Sequence, residues 1–181
     1  MIMKKKLFVI VYGKSNQGKT GSLMELVMKL GGGSPSLVSE INKEFFNPKN
    51  KRYDDARFVV EYNEYYIYVA TAGDSWYACQ TDNNFFERKF GNQIIYLVAG
   101  GSLKKMTILD KQKYKEIEPD VVVGACRPNG DSYGAIKAIH SYSETHILNY
   151  VEQLWIKKDK VEHPDNKVYA EELKTRIDKF L

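Results

Sequence analysis

Hydrophobic positions along this chain fall into short bounded runs and helically spaced sets, and the two alternate. Residues 7–12, Leu-Phe-Val-Ile-Val-Tyr, form an unbroken apolar run that predicts a buried parallel strand. After Thr20, Leu23, Leu26, Val27 and Leu30 recur at helical spacing, and Gly31-Gly32-Gly33 ends that helix. Ser34-Pro35-Ser36 opens a polar connection, and the Asn, Lys, Arg and Asp content of residues 42–55 predicts a loop or irregular insertion carrying Phe45 and Phe46. Residues 57–62 and 65–70 read as strands joined at Asn63-Glu64, an antiparallel hairpin. A helix is expected over 78–90, with Phe85, Phe86 and Phe90 on its apolar side and Gly91 as its stop.

Further strands are expected at 94–99 and 121–126, separated by a lysine-rich, weakly patterned stretch at 102–118. Residues 127–131 turn the chain into a helix with Ala135, Ile136 and Ile139 inward and Asp131 as a candidate cap. Residues 151–156 fit a strand or a helix end equally well. Pro164-Asp165 starts a last helix with Tyr169, Leu173, Ile177 and Phe180 on one face. Strands alternating with helices predict a single α/β domain over residues 1–181: a three-layer α/β/α sandwich with a mainly parallel sheet and one antiparallel hairpin. Ligands of such a sheet gather at the carboxyl ends of its strands.

The apolar run at 7–12 leads directly into Gly13-Lys14-Ser15-Asn16-Gln17-Gly18-Lys19-Thr20, which fits the phosphate-loop pattern G-x-x-x-x-G-K-[ST]. Its glycines let backbone N–H groups turn toward phosphate oxygens, and Gly21 continues into a helix whose positive dipole end faces the same anion. On this motif and its strand–loop–helix context the chain resembles the P-loop NTPase superfamily. The resemblance implies that residues 13–21 bind nucleotide, that Lys19 reaches the β- and γ-phosphates, and that Thr20 ligands Mg²⁺. Asn16 and Gln17 are expected mainly to shape the loop, and Lys14 and Ser15 to fill it.

Two more loops leave strand ends. Thr71-Ala72-Gly73-Asp74 supplies Asp74 as the candidate second support for Mg²⁺, although Gly73-Asp74 also reads as a turn followed by a helix cap. Arg127 is the candidate cation for charge developing on the transferred phosphoryl group, and also reads as a surface arginine pairing with Asp120 or Asp131. Thr71-Ala72-Gly73 is similar to the small-GTPase Asp-Thr-Ala-Gly sequence, but Ala70 stands where that aspartate belongs. The guanine-reading Asn-Lys-x-Asp sequence is missing; Ile156-Lys157-Lys158-Asp159 is its nearest counterpart. ATP is therefore expected over GTP. With its Gly-Asp-Ser and Ala-Cys-Arg loops the chain also resembles small P-loop ATPases of bacteria and their phages.

Composition changes this picture little. The 181 residues carry a net charge of +4, too mild to indicate nucleic acid by itself. An aromatic, basic surface at 43–66 could stack bases, but Glu40, Glu44, Asp54, Asp55, Glu61 and Glu64 weigh against nucleic acid as the partner. Cys79 and Cys126 lie far apart without metal spacing, and Cys126 is expected as a buried free thiol. His140, His146 and His163 lack ligand or triad spacing and are expected to be solvated or structural. The short run at 7–12 behind Lys4-Lys5-Lys6 is read as a strand rather than a signal sequence, and no apolar stretch reaches the roughly 18 residues of a membrane span. A cytoplasmic protein is expected.

The expected function is that of a small NTPase that binds ATP–Mg²⁺, hydrolyses it and acts with a partner. The alternatives are a small-molecule or nucleotide kinase and a nucleotide-binding module without turnover. Only Arg52, Arg57, Arg88, Arg127 and Arg176 are available for a kinase-type lid, and no two are adjacent.

Overall fold

The computed structural model of the chain describes residues 6–71, 84–98, 114–129 and 151–181. In order, these form β1 (Lys6–Tyr12), α1 (Lys19–Leu30), α2 (Pro35–Phe45), β2 (Phe46–Asn47), β3 (Arg52–Tyr53), β4 (Arg57–Tyr62), β5 (Tyr65–Ala70) and β6 (Asn84–Phe90). They continue through β7 (Gln93–Val98), β8 (Tyr114–Glu116), β9 (Val121–Cys126), β10 (Val151–Lys157) and α3 (Asn166–Phe180). Eight strands make one sheet in the order β10-β1-β9-β5-β4-β7-β6-β8, and β2 and β3 make a separate two-stranded ribbon.

The sheet is mixed, not mainly parallel. Strands β10, β1, β9 and β5 run parallel, while β4, β7, β6 and β8 join by antiparallel pairings. Within the parallel half, β1 and β9 are apolar runs buried on both faces; in β1, Leu7, Val9 and Val11 lie on one side and Phe8 and Ile10 on the other. The buried apolar residues of α1, α2 and α3 all join the first of these clusters, so the three described helices lie on one face of the sheet. Among the described residues no helix is long and apolar enough to cross a membrane.

Three expectations change. Residues 42–45 belong to α2, and 46–53 form the ribbon, where a loop or irregular insertion was expected. The helix starts because the Ser34 hydroxyl accepts the Leu37 N–H at 3.3 Å with Pro35 in the first turn, and Leu37, Ile41 and Phe45 then bury one stripe. The expected helix at 78–90 is replaced over its described part by strand β6. Phe86 and Phe90 are four residues apart, a same-face spacing in a helix and in a strand alike, so the spacing did not discriminate. Gly91, at φ 58°, begins the turn that pairs β6 with β7 rather than stopping a helix. Strand β10 settles the ambiguous segment at 151–156.

The hairpin at 57–70 forms as expected, with Asn63 and Glu64 both at positive φ (49° and 67°), the geometry of a tight two-residue turn. Helix α3 begins where expected, with the Asp165 carboxylate accepting the Lys167 N–H at 2.8 Å. The helix expected after Asp131, with Ala135, Ile136 and Ile139, lies outside the described residues, as does Cys79.

Candidate functional site

Strand β1 ends at Tyr12, and the chain turns through residues 13–18 into α1. Asn16 (φ 62°) and Gly18 (φ 83°) make the reversal in left-handed backbone. Gly18 takes the cap position of α1 with no side-chain acceptor, and the first turn holds no acidic residue. The leading N–H groups of the helix therefore lack an internal side-chain partner, the condition for anion binding at a helix start.

Lys19 folds back over the loop it follows. Its Nζ donates to Gly13 O at 2.6 Å and to Lys14 O at 2.7 Å. Burial holds its pKa below the ordinary lysine value; the neighbouring Cys126 thiol acts upward and the Arg127 guanidinium downward. Cys126 is the buried free thiol expected, its pKa pushed up to about 11 by burial while nearby Lys19 pulls it down.

Thr20 turns toward β5. Its hydroxyl donates to Thr71 O over a long 3.4 Å. Thr71 is itself buried and pins the start of β4: its Oγ1 accepts from Ala56 N at 2.8 Å and donates to Ala56 O at 3.2 Å. Because β1, β9 and β5 are consecutive parallel neighbours, the loops after Tyr12, Cys126 and Ala70 leave the same edge of the sheet. Arg127, exposed directly after β9, thus joins Lys19 and Thr20 at one edge. Asp74, with Ala72 and Gly73, lies outside the described residues.

A fourth loop at this edge was missed in the sequence. The segment 157–166, after β10, straps the outer side of the glycine loop. Lys158 N donates to Tyr12 O at 2.8 Å, Lys160 N donates to Gln17 Oε1 at 2.9 Å, and Ser22 Oγ donates to Asn166 Oδ1 at 2.9 Å. A Cβ on Gly13 would stand 2.4 Å from Lys158 O, so the strap approaches where only glycine fits. Lys158 is buried: its Nζ donates to His163 O and lies 4.9 Å from the centre of the Tyr169 ring. Burial lowers its pKa. His163 packs edge-to-face on Tyr169 at 4.8 Å with Glu172 3.7 Å from its Nδ1, a structural setting. The signal for this strap was Lys157-Lys158-Asp159, considered only as an incomplete guanine motif.

Lys14, Arg127, Lys157 and Lys160 are exposed around the loop and Lys19 lies within it, so an anion entering here meets cations from three strand ends. Among the described residues no group of three or more His, Cys, Asp and Glu is arranged to hold a metal ion. No family model, curated protein or solved structure matches the chain.

Proposed function

We propose that the chain is a P-loop NTPase of three-layer α/β/α design that binds ATP–Mg²⁺ through residues 13–21 and hydrolyses the γ-phosphate. The observation that carries this reading is the placement of the glycine loop. It follows a buried parallel strand, precedes an uncapped helix start, folds a lysine ammonium over its mouth, and shares its edge with the exits of β9 and β5.

Each residue then has a defined task. Backbone N–H groups of 14–21 surround the phosphates, and Lys19 exchanges two loop carbonyls for phosphate oxygens. The Thr20 hydroxyl donates toward Thr71 O and so keeps its oxygen lone pairs for a cation, which suits a Mg²⁺ site built from one or two protein ligands plus phosphates and water. Mg²⁺ supplies neutralisation of phosphate charge. Asp74 supports that metal or its water, and Arg127 counters the charge that grows on the phosphoryl oxygens. ATP is favoured over GTP because the residues at the end of β10, Lys157-Lys158-Asp159, do not complete a guanine-reading set.

Released phosphate measured with ATP or GTP and Mg²⁺, for the wild type beside Lys19→Ala, tests this reading. Release from ATP, lost in the variant, is expected. Equal release by both proteins would remove the site assignment. Tight binding without release would transfer the proposal to a phosphotransferase awaiting its acceptor.

A further inference from the structure

The ribbon β2–β3 stands apart from the main sheet and presents charge outward. Phe46 pairs with Tyr53 and Asn47 with Arg52, and residues 48–51 form the tip. The tip is held by two side-chain turns: Asn47 Oδ1 accepts Lys49 N at 3.0 Å, and Asn50 Oδ1 accepts Arg52 N at 3.1 Å. Its foot is equally fixed. Asp54 N donates to Phe45 O at 2.8 Å, Tyr53 OH donates to Asn42 Oδ1 at 2.6 Å, and the Phe46 and Tyr53 rings meet edge-to-face at 5.1 Å.

Lys49, Lys51 and Arg52 are all exposed on this frame, and none has an ion-pair partner among the described residues. Phe46 is an exposed large hydrophobic beside them. The acidic residues that spoke against a nucleic-acid partner in the sequence are mostly placed elsewhere. Glu44 is bound to Arg88 at 2.8 Å, and Glu40 accepts Gly91 N at 2.8 Å, both toward β6. Glu61 and Glu64 lie at the turn end of the β4–β5 hairpin, whereas the ribbon joins β4 at its other end, where Arg57 pairs with Ala70. Asp55 is engaged within the chain. Asp54, exposed beside the ribbon, and Glu25, near Tyr53 at its foot, are the local counter-charges among the described residues.

We propose that the ribbon 46–53 is a docking surface for single-stranded nucleic acid, with Lys49, Lys51 and Arg52 on backbone phosphates and Phe46 against a base. Exposed cations supply the phosphate contacts, and base faces accept an exposed ring only where strands are unpaired. The cations and the ring together favour this partner over an acidic protein, which would use the cations alone. The proposal does not depend on nucleotide binding at the glycine loop.

The test is fluorescence anisotropy of labelled oligo-dT and oligo-rU, each of about 20 nucleotides, with the full chain. Three neutralised phosphates predict a salt slope of about −2, which is about a twenty-fold loss of affinity between 50 and 200 mM salt. The combined Lys49→Ala, Lys51→Ala and Arg52→Ala variant is expected to lose at least about ten-fold in affinity and most of that slope. Phe46→Ala is expected to weaken binding about ten-fold with the slope kept. All four residues are exposed, so melting temperatures should match the wild type. Preference between the dT and rU probes would identify DNA or RNA as the source. Absence of wild-type binding at low salt, or undiminished binding by the triple variant, overturns the proposal. So does an ineffective Phe46→Ala combined with equal competition by polyglutamate, which would indicate an acidic protein.

Discussion

On its β10 flank the glycine loop meets a strap of backbone and short polar contacts; on its β9–β5 flank it meets cations, one backbone hydrogen bond and one long hydroxyl contact. In the strap, Lys158 N donates to Tyr12 O, Lys160 N donates to Gln17 Oε1, and Asn166 Oδ1 accepts from Ser22 Oγ, all at 2.8–2.9 Å. The opposite flank holds Gly13 N to Cys126 O at 3.2 Å and Thr20 to Thr71 O at 3.4 Å. The first flank is a wall that fixes where the loop runs. The second is the side to which Lys19 and Thr20 turn and where Arg127 emerges. Such a division suits the proposed nucleotide site, where the loop would hold its shape while Lys19 and Thr20 change partners.

Substitutions on the two flanks should therefore differ in kind. The largest effect is expected from Gly13→Ala, whose methyl would stand 2.4 Å from a backbone carbonyl of the strap. Overpacking against backbone costs about 3 kcal/mol, and both melting temperature and nucleotide affinity should fall. Wild-type melting in this variant would show that the strap yields and is no wall. Thr71→Val comes next. It keeps the shape but leaves the half-buried Ala56 N–H without its 2.8 Å acceptor, at a cost of about 1 kcal/mol. Chemical denaturation should register that loss, and because the Thr71 carbonyl that receives the Thr20 hydroxyl stays but loses the side-chain tie to Ala56 that positions it, Mg²⁺-dependent nucleotide binding should weaken as well. A stability loss without any change in Mg²⁺ dependence would separate Thr71 from the site.

The smallest effect concerns Lys158. Burial holds its pKa below the ordinary 10.5, so the folded protein gives up this proton before the unfolded chain does. The burial penalty on the charged form is present in full below the lowered pKa. It is relieved as pH rises through the window up to 10.5. Lys158→Met carries no such penalty. Its stability relative to the wild type should therefore decline with rising pH across that window, measured as the difference between paired melts. A flat difference would mean that the ammonium is not penalised where it sits.

Much of this architecture was legible in the sequence where one face or one run decided the outcome. The runs at 7–12 and 121–126 became β1 and β9 because strands buried on both faces have no polar alternation to confuse them. Asn63-Glu64 was legible as a turn although it lacks glycine, and both residues accept positive φ there. Elsewhere local signals misled. The polar surface of α2 masked its Leu37–Ile41–Phe45 stripe, and the phenylalanines of β6 satisfied a helical spacing and a strand spacing at once. The loop 13–20 was legible as a motif, since its chemistry is written in consecutive residues. Its strap was not, because Lys160 and Gln17 meet across 143 positions and no local pattern encodes that contact.

The central claim is that Lys19 and the loop around it hold a nucleoside triphosphate, and a direct titration of ATP with Mg²⁺ tests it most simply. Calorimetric binding would be compared between the wild type and Lys19→Ala, each shown to be folded by its melting transition. Binding by the wild type, lost or weakened at least about a hundred-fold in the variant, is the predicted result, in line with removal of a charge-assisted contact to phosphate. Equal affinity in both proteins would contradict the account.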